Sequence, residues 1–268
     1  MSGDGNLNIL SSLKKVSGWT GISRLFGLIR DMATTNLLGA SVFHDIFVVT
    51  LKIPNLFRRF FAEGAFNQAF IPVYSDYHAE NSDQKTKDFI NALAGNFLII
   101  LFLFIAVVLL ITPVFILIFA PGFYLDDYKR EISVDVLRIM FPYLALISLV
   151  AFAGGIQNTH NRFSLPAFTP LIFNACLIFA ALIIAPKYDI PIYVLAWGVL
   201  TAGFVQLVIQ LFPLKQIDRL PIPKSSIDSM FSAPASLLAA SRSSALSGSI
   251  STTRWKLPSP TWQCSSAS

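Results

Sequence analysis

The sequence predicts an all-α, polytopic membrane helix bundle, and three observations predict it. Only 13% of its 268 residues are charged while 54% are hydrophobic, against about a quarter charged in soluble domains. The apolar residues, 24 Phe among them, fall in runs long enough to cross a hydrocarbon core. Within lipid each segment must satisfy its own backbone hydrogen bonds, so those runs are helices.

In chain order, Met1 to Lys15 lacks the pattern of a cleavable signal. Asp4 precedes its first basic residues, and no compact apolar core follows Lys14 and Lys15 before a small-residue cleavage site. The first span, Val16 to Leu38, and the second, Val42 to Ala69, are mostly apolar. They also carry Arg24, Arg30, Asp31, Asp45, Lys52, Arg58, Arg59 and Glu63, so a hydropathy window scores them poorly. We read both as membrane helices whose charges face a bundle interior or a watery cavity. Pro54 predicts a kink in the second, because its ring removes one helix hydrogen bond.

The remaining spans are plainer. Phe97 to Ala120 is apolar except for Thr112 and Pro113. Ile139 to Ile156 carries Pro142 and Gly154-Gly155. Leu165 to Ala185 and Ile190 to Leu214 complete six. The expected organisation is therefore a transmembrane lobe over residues 1–220, with spans near 10–38, 42–70, 92–120, 134–156, 165–185 and 190–214. A polar Ser-rich tail follows over 221–268 and is expected to be disordered.

Loop charges set an expected orientation. With the N-terminus inside, cytoplasmic segments hold Lys14, Lys15, Lys85, Lys87, Arg162, Lys215, Arg219 and Lys224. The opposite side holds Lys129, Arg130 and Lys187, with Arg30 and Arg138 near helix ends. Basic residues concentrate on cytoplasmic loops, so both ends are expected in the cytoplasm. The net charge of +5 then reports this asymmetry and anionic phospholipid at the membrane surface, not nucleic acid.

Catalytic signatures are lacking. His44, His78 and His160 are scattered singly, Asp126-Asp127 reads as a solvated loop pair, and no HExxH or Gly-rich phosphate loop occurs. Cys176 and Cys264 have no partner at ligand spacing. No enzyme, metal site or cofactor is expected.

The chemistry lies in the first two spans. One charge at the bilayer centre costs ~2.5–3.5 kcal/mol on insertion scales, so this cluster lines something polar. Arg24 and Asp31, seven apart, share a helix face, and Arg59 and Glu63 are spaced to pair. Arg24 and Arg30 diverge by about 120°, so one face cannot present both fully. Two readings stay open: ion pairs that lock helix to helix, or a basic path for an anionic substrate. Arginine suits a diphosphate, being always charged, planar and able to donate two parallel hydrogen bonds.

The run Ser23-Arg24-Leu25-Phe26-Gly27-Leu28-Ile29-Arg30-Asp31, then Asp45, then Lys52-Ile53-Pro54-Asn55-Leu56-Phe57-Arg58-Arg59-Phe60-Phe61-Ala62-Glu63-Gly64-Ala65-Phe66 resembles the MurJ (MviN) lipid II flippases. Gln68 to Val73, Phe141-Pro142-Tyr143 and Asn158 to Phe168 extend the resemblance over roughly residues 7 to 220; His160 departs from a Trp in the family pattern. The resemblance implies the first six-helix lobe of a V-shaped, two-lobed exporter of the bacterial cytoplasmic (inner) membrane. Such a protein moves the undecaprenyl-diphosphate-linked peptidoglycan precursor from inner to outer leaflet, for cell wall biogenesis and cell shape. It implies that Arg24, Arg30, Asp45 and Arg58 line the cavity, with Ser23, Arg59 and Glu63 beside them. Partners would be lipid II, membrane phospholipid and cell-wall synthesis proteins. Alternatives are an exporter of another polyprenyl-diphosphate sugar or a drug, or a non-transporting scaffold. Where the family enters a seventh helix this chain turns Ser-rich, so a truncated or frameshifted gene, read out of frame from about Met230, is expected. An inactive copy would follow.

Overall fold

The computed structural model describes residues 3–63, 70–75, 83–160 and 164–221. Those residues are helical apart from short connections, and no strand occurs among them. The expected disordered tail and the Glu63 side chain lie outside the described residues.

Four helical stretches are long and apolar enough to cross a membrane: Asp83–Leu110, Asp127–Thr159, Phe168–Lys187 and Pro191–Gln216. The two charged spans fall outside that apolar set, as their composition predicts, yet both are helical. Helix α1 covers Gly3–Leu38, 36 residues. At 1.5 Å rise it is roughly 54 Å long, well beyond a ~30 Å hydrocarbon core. It ends at Gly39, whose φ of 60° is the left-handed geometry a helix C-terminus favours in glycine. Helix α2 covers Val42–Arg58, runs through the buried Pro54, and opens into a π-helical turn over Arg59–Glu63.

Beyond it the third expected span starts earlier than its apolar run. Helix α3 covers Asp83–Leu110 and α4 Thr112–Phe119, with a break at Ile111. Pro113 lies in the first turn of α4, where its missing N–H costs nothing, but without that N–H it cannot continue the α3 ladder to the Leu109 carbonyl. The Thr112 hydroxyl donates to the Val108 and Leu109 carbonyls at 3.0 Å, covering the C=O groups the break exposes. Helix α5 (Pro121–Tyr124) turns the chain, and α6 (Asp127–Met140) meets α7 (Tyr143–Thr159) across Phe141-Pro142. Helix α8 (Ser164–Phe179) continues through a π turn, Ala180–Ile184, and a short 3-10 turn, Ala185–Lys187. Helix α9 covers Pro191–Gln216.

The α6–α7 span is the centre of the bundle: 72% of its most apolar stretch is buried, against 28% for α3. Leu137, Met140, Leu144 and Ile156 are fully enclosed. Close approach to α9 rests on Gly203, where an added Cβ would lie 2.6 Å from the Tyr143 ring. Small residues let membrane helices meet backbone to side chain, which compensates for the lack of a hydrophobic drive between them. Gln157 Nε2 on α7 also donates to the Gln210 carbonyl on α9 at 3.0 Å, inside a fully buried contact.

An aromatic cluster fixes α2. The Phe57 ring sits 5.3 Å from Phe104 on α3, 5.8 Å from Phe115 on α4 and 5.9 Å from Phe141. Offset and edge contacts at these separations contribute beyond area burial. With Phe57 held inward, the stripe of Lys52, Asn55, Leu56 and Arg59, at spacings of three and four, is turned to another side.

Candidate functional site

That side opens on a cavity of about 820 Å³. From α2 and its π turn come Lys52, Asn55, Arg58 and Arg59; from α1, Gly27 and Arg30; from α8, Thr169, Pro170, Phe173 and Asn174. Tyr143 of α7 and Gln206 of α9 complete the polar part of the wall. Four cations line the cavity and, among its described residues, no carboxylate does.

Arg58 and Arg30 are held differently. Arg58 Nε donates to Asn55 Oδ1, one turn back, at 3.3 Å. The π turn begins at the next residue, where the Arg59 N–H is shared among the Asn55, Leu56 and Phe57 carbonyls. Such widened turns recur at functional sites because they re-aim side chains that a regular helix would spread apart. Arg30 has the most elaborate support. Its Nη1 donates to Asn174 Oδ1 at 3.0 Å, and its Nε and Nη2 donate to Asp31 Oδ1 at 3.0 and 2.7 Å. Its guanidinium also lies 5.9 Å from the Phe173 ring centroid. Asn174 Nδ2 donates in turn to the Ser23 carbonyl at 3.1 Å, so one carboxamide ties α8 to α1 and aims Arg30.

Of the residues singled out in the sequence, Arg30, Arg58 and Arg59 line this cavity. Ser23 reaches it through its carbonyl, bonded to Asn174. Arg24 and Asp45 are exposed and lie off the described wall. For Arg24 the reason is the angular divergence from Arg30 along one helix. Asp45 sits in the first turn of α2, where a carboxylate complements the helix N-terminus. The sequence reading missed Asn174, Thr169 and Gln206 as wall residues. A signal existed: carboxamides inside apolar spans are costly unless they face partners or a polar space.

Fold and site together define a class, the multi-pass membrane protein whose helices line a basic cavity. Comparison with known proteins gives the family. The family model for the lipid II flippase MurJ matches residues 34–249. A probable lipid II flippase MurJ of Buchnera aphidicola subsp. Acyrthosiphon pisum is 41% identical over 217 residues, covering 81% of this chain and 42% of that protein. The lipid II flippase MurJ of Burkholderia cenocepacia is 38% identical over 216 residues, with 81% and 42% covered. A solved structure of a lipid II flippase MurJ in an inward closed conformation superposes with a TM-score of 0.67 at 26% identity, covering 80% of this chain and 44% of that one. The chain belongs to the MurJ lipid II flippase family. It spans less than half the length of the curated relatives it matches. Its family and its apolar helices make it a multi-pass protein of the bacterial inner membrane.

Proposed function

We propose that this chain forms the N-terminal, six-helix lobe of a lipid II flippase, and that its cavity receives the diphosphate and headgroup of the undecaprenyl-linked peptidoglycan precursor. Arg30, Arg58 and Arg59 grip the diphosphate, with Lys52 adding a point charge. Ser23, Arg24, Asp45 and Glu63 act at the margins of that path, and both ends of the lobe face the cytoplasm. The prenyl tail stays in the bilayer. The observation that carries this reading is the set of four cations lining one cavity of about 820 Å³, with no carboxylate among its described lining residues. Arg30 has Asp31 beside it, but four cations around one cavity carry more positive charge than that one described carboxylate offsets. An anionic ligand supplies the missing charge, and a planar fork binds phosphate oxygens in pairs.

The test is binding of lipid II to the chain in phospholipid nanodiscs, beside Arg58→Ala and Arg59→Ala. Wild type should bind, and each variant should bind more weakly with the folded amount unchanged. Equal affinity for wild type and both variants would sink the reading. Tighter binding of a different polyprenyl-diphosphate sugar would move it to another exporter. Retention of cell-wall enzymes without lipid binding would make the chain a scaffold.

A further inference from the structure

The cavity has a second wall whose chemistry is not cationic. Gln206 of α9 is 2% exposed yet lines the cavity, beside Thr169 of α8 and Tyr143 of α7. Its Nε2 donates to the Thr169 carbonyl at 2.8 Å. This contact fixes which end of the carboxamide is which, since turning it over would set one carbonyl oxygen against another at that distance. The Oε1 end therefore remains, buried and without a hydrogen-bond partner among the described residues. The other carboxamide on the wall, Asn174, is engaged at both ends: Nδ2 donates to Ser23 and Oδ1 accepts from Arg30. Of the two, Gln206 is the one whose oxygen has no hydrogen bond among the described residues.

An ionised phosphate cannot satisfy that acceptor, because it brings acceptors of its own. A hydroxyl or an amide N–H can. Buried acceptors are rarely left unmade, since the desolvation they suffer is recovered only when a donor arrives. A site built around such a group discriminates strongly against ligands lacking the donor. The cavity is thus lined by two chemistries: guanidinium and ammonium groups on α1 and α2, and, where α9 meets α8, a residue whose buried carbonyl oxygen has no described partner.

We infer that Gln206 Oε1 accepts a hydrogen bond from a hydroxyl or amide N–H of the saccharide–peptide headgroup, forming a subsite separate from the arginines that hold the diphosphate. The inference rests on the flippase reading above and adds the part of the substrate that the arginines cannot distinguish. The arginines hold any polyprenyl diphosphate; Gln206 reports whether a sugar is attached.

The experiment uses the full chain in phospholipid nanodiscs and two probes, undecaprenyl diphosphate and lipid II. Wild type should bind lipid II more tightly. Gln206→Met, similar in shape but without the acceptor, should weaken lipid II about tenfold, the loss of one hydrogen bond, and leave undecaprenyl diphosphate unchanged. The undecaprenyl diphosphate measurement doubles as the folding control. Equal weakening of both probes by Gln206→Met, or none, would overturn the subsite. Equal affinity of wild type for the two probes would overturn the subsite alone and leave the flippase reading standing. Failure of wild type to bind either probe would overturn both.

Discussion

Arg219, just past the end of α9, and Arg58 with Arg59, where α2 becomes a π turn, are guanidinium groups at helix ends, yet they keep different company. The Arg219 side chain is 4% exposed, and its Nη2 lies 2.5 Å from Asp83 Oδ1 at the start of α3. Its Nη1 reaches the Asp83 carbonyl at 3.4 Å, and Lys87 pairs with Asp218 alongside. Asp218 takes a φ of 54°, a left-handed geometry that turns the chain so that Arg219 points back into the bundle. In the cavity, by contrast, cations gather on one wall without a described carboxylate. Arg219 closes a structure, whereas Arg58 and Arg59 border the cavity in which the proposal above seats a diphosphate.

The comparison can be broken by mutation. The largest effect should come from Arg58→Ala in lipid II binding. Losing two charge-assisted bonds at ~1.5–3 kcal/mol each corresponds to at least a hundredfold in affinity. Arg58→Lys keeps the charge but not the fork and should cost about tenfold. Neither should change the folded amount; a drop in membrane abundance would place Arg58 with Arg219. Next comes Arg219→Ala, read as thermal midpoint in detergent. Because Asp83 is 78% exposed and rehydrates when its partner goes, the cost should be ~1–2 kcal/mol, below that of a fully buried pair. Undecaprenyl diphosphate binding should be unchanged, and a binding defect with normal stability would erase the contrast.

A smaller effect is expected from Lys52→Gln, severalfold in affinity, since a point charge contributes no fork. That deficit should shrink as salt rises from 0.05 to about 0.5 M, through screening. The smallest concerns Asp126, the N-cap of α6, whose side chain accepts from the Lys129 N–H at 3.2 Å. This backbone hydrogen bond, with Lys129's charge nearby, holds the Asp126 carboxyl below the usual carboxylate range. A depressed pKa stabilises the fold above the ordinary carboxylate pKa, and that contribution fades as pH falls through the folded value. Asp126→Ala should therefore lower the thermal midpoint slightly at pH 7, with the gap from wild type closing on acidification. A gap that persists at pH 2 would remove the cap from the account.

How legible this was depends on which property each element displays. The four apolar spans announce themselves by length, and lipid leaves no alternative to helix. The charged helices were readable because burying so many charges against lipid is too costly. Arg30, Arg58 and Arg59 followed from charge and motif. Asn174 and Gln206 did not, because a single carboxamide in an apolar run is ambiguous until its neighbours in space are known. The break at Ile111 was not legible: Phe97 to Ala120 reads as one span, and Pro113, an exception to its apolar character, lies in the first turn of the second helix.

The enclosed α6–α7 span has a further consequence. Bilayers differ in thickness, and a helix facing lipid answers a mismatch by tilting or by dragging its flanks. The burden of such adjustment falls on α3, whose Phe102, Leu103 and Leu110 face outward. The central span, wrapped by protein, has little lipid to answer to. Tyr143 and Ile147, which it contributes to the cavity, are therefore insulated from the thickness and fluidity of the surrounding membrane. A growing cell that remodels its lipids would strain the rim of this bundle before it altered the shape of the cavity wall.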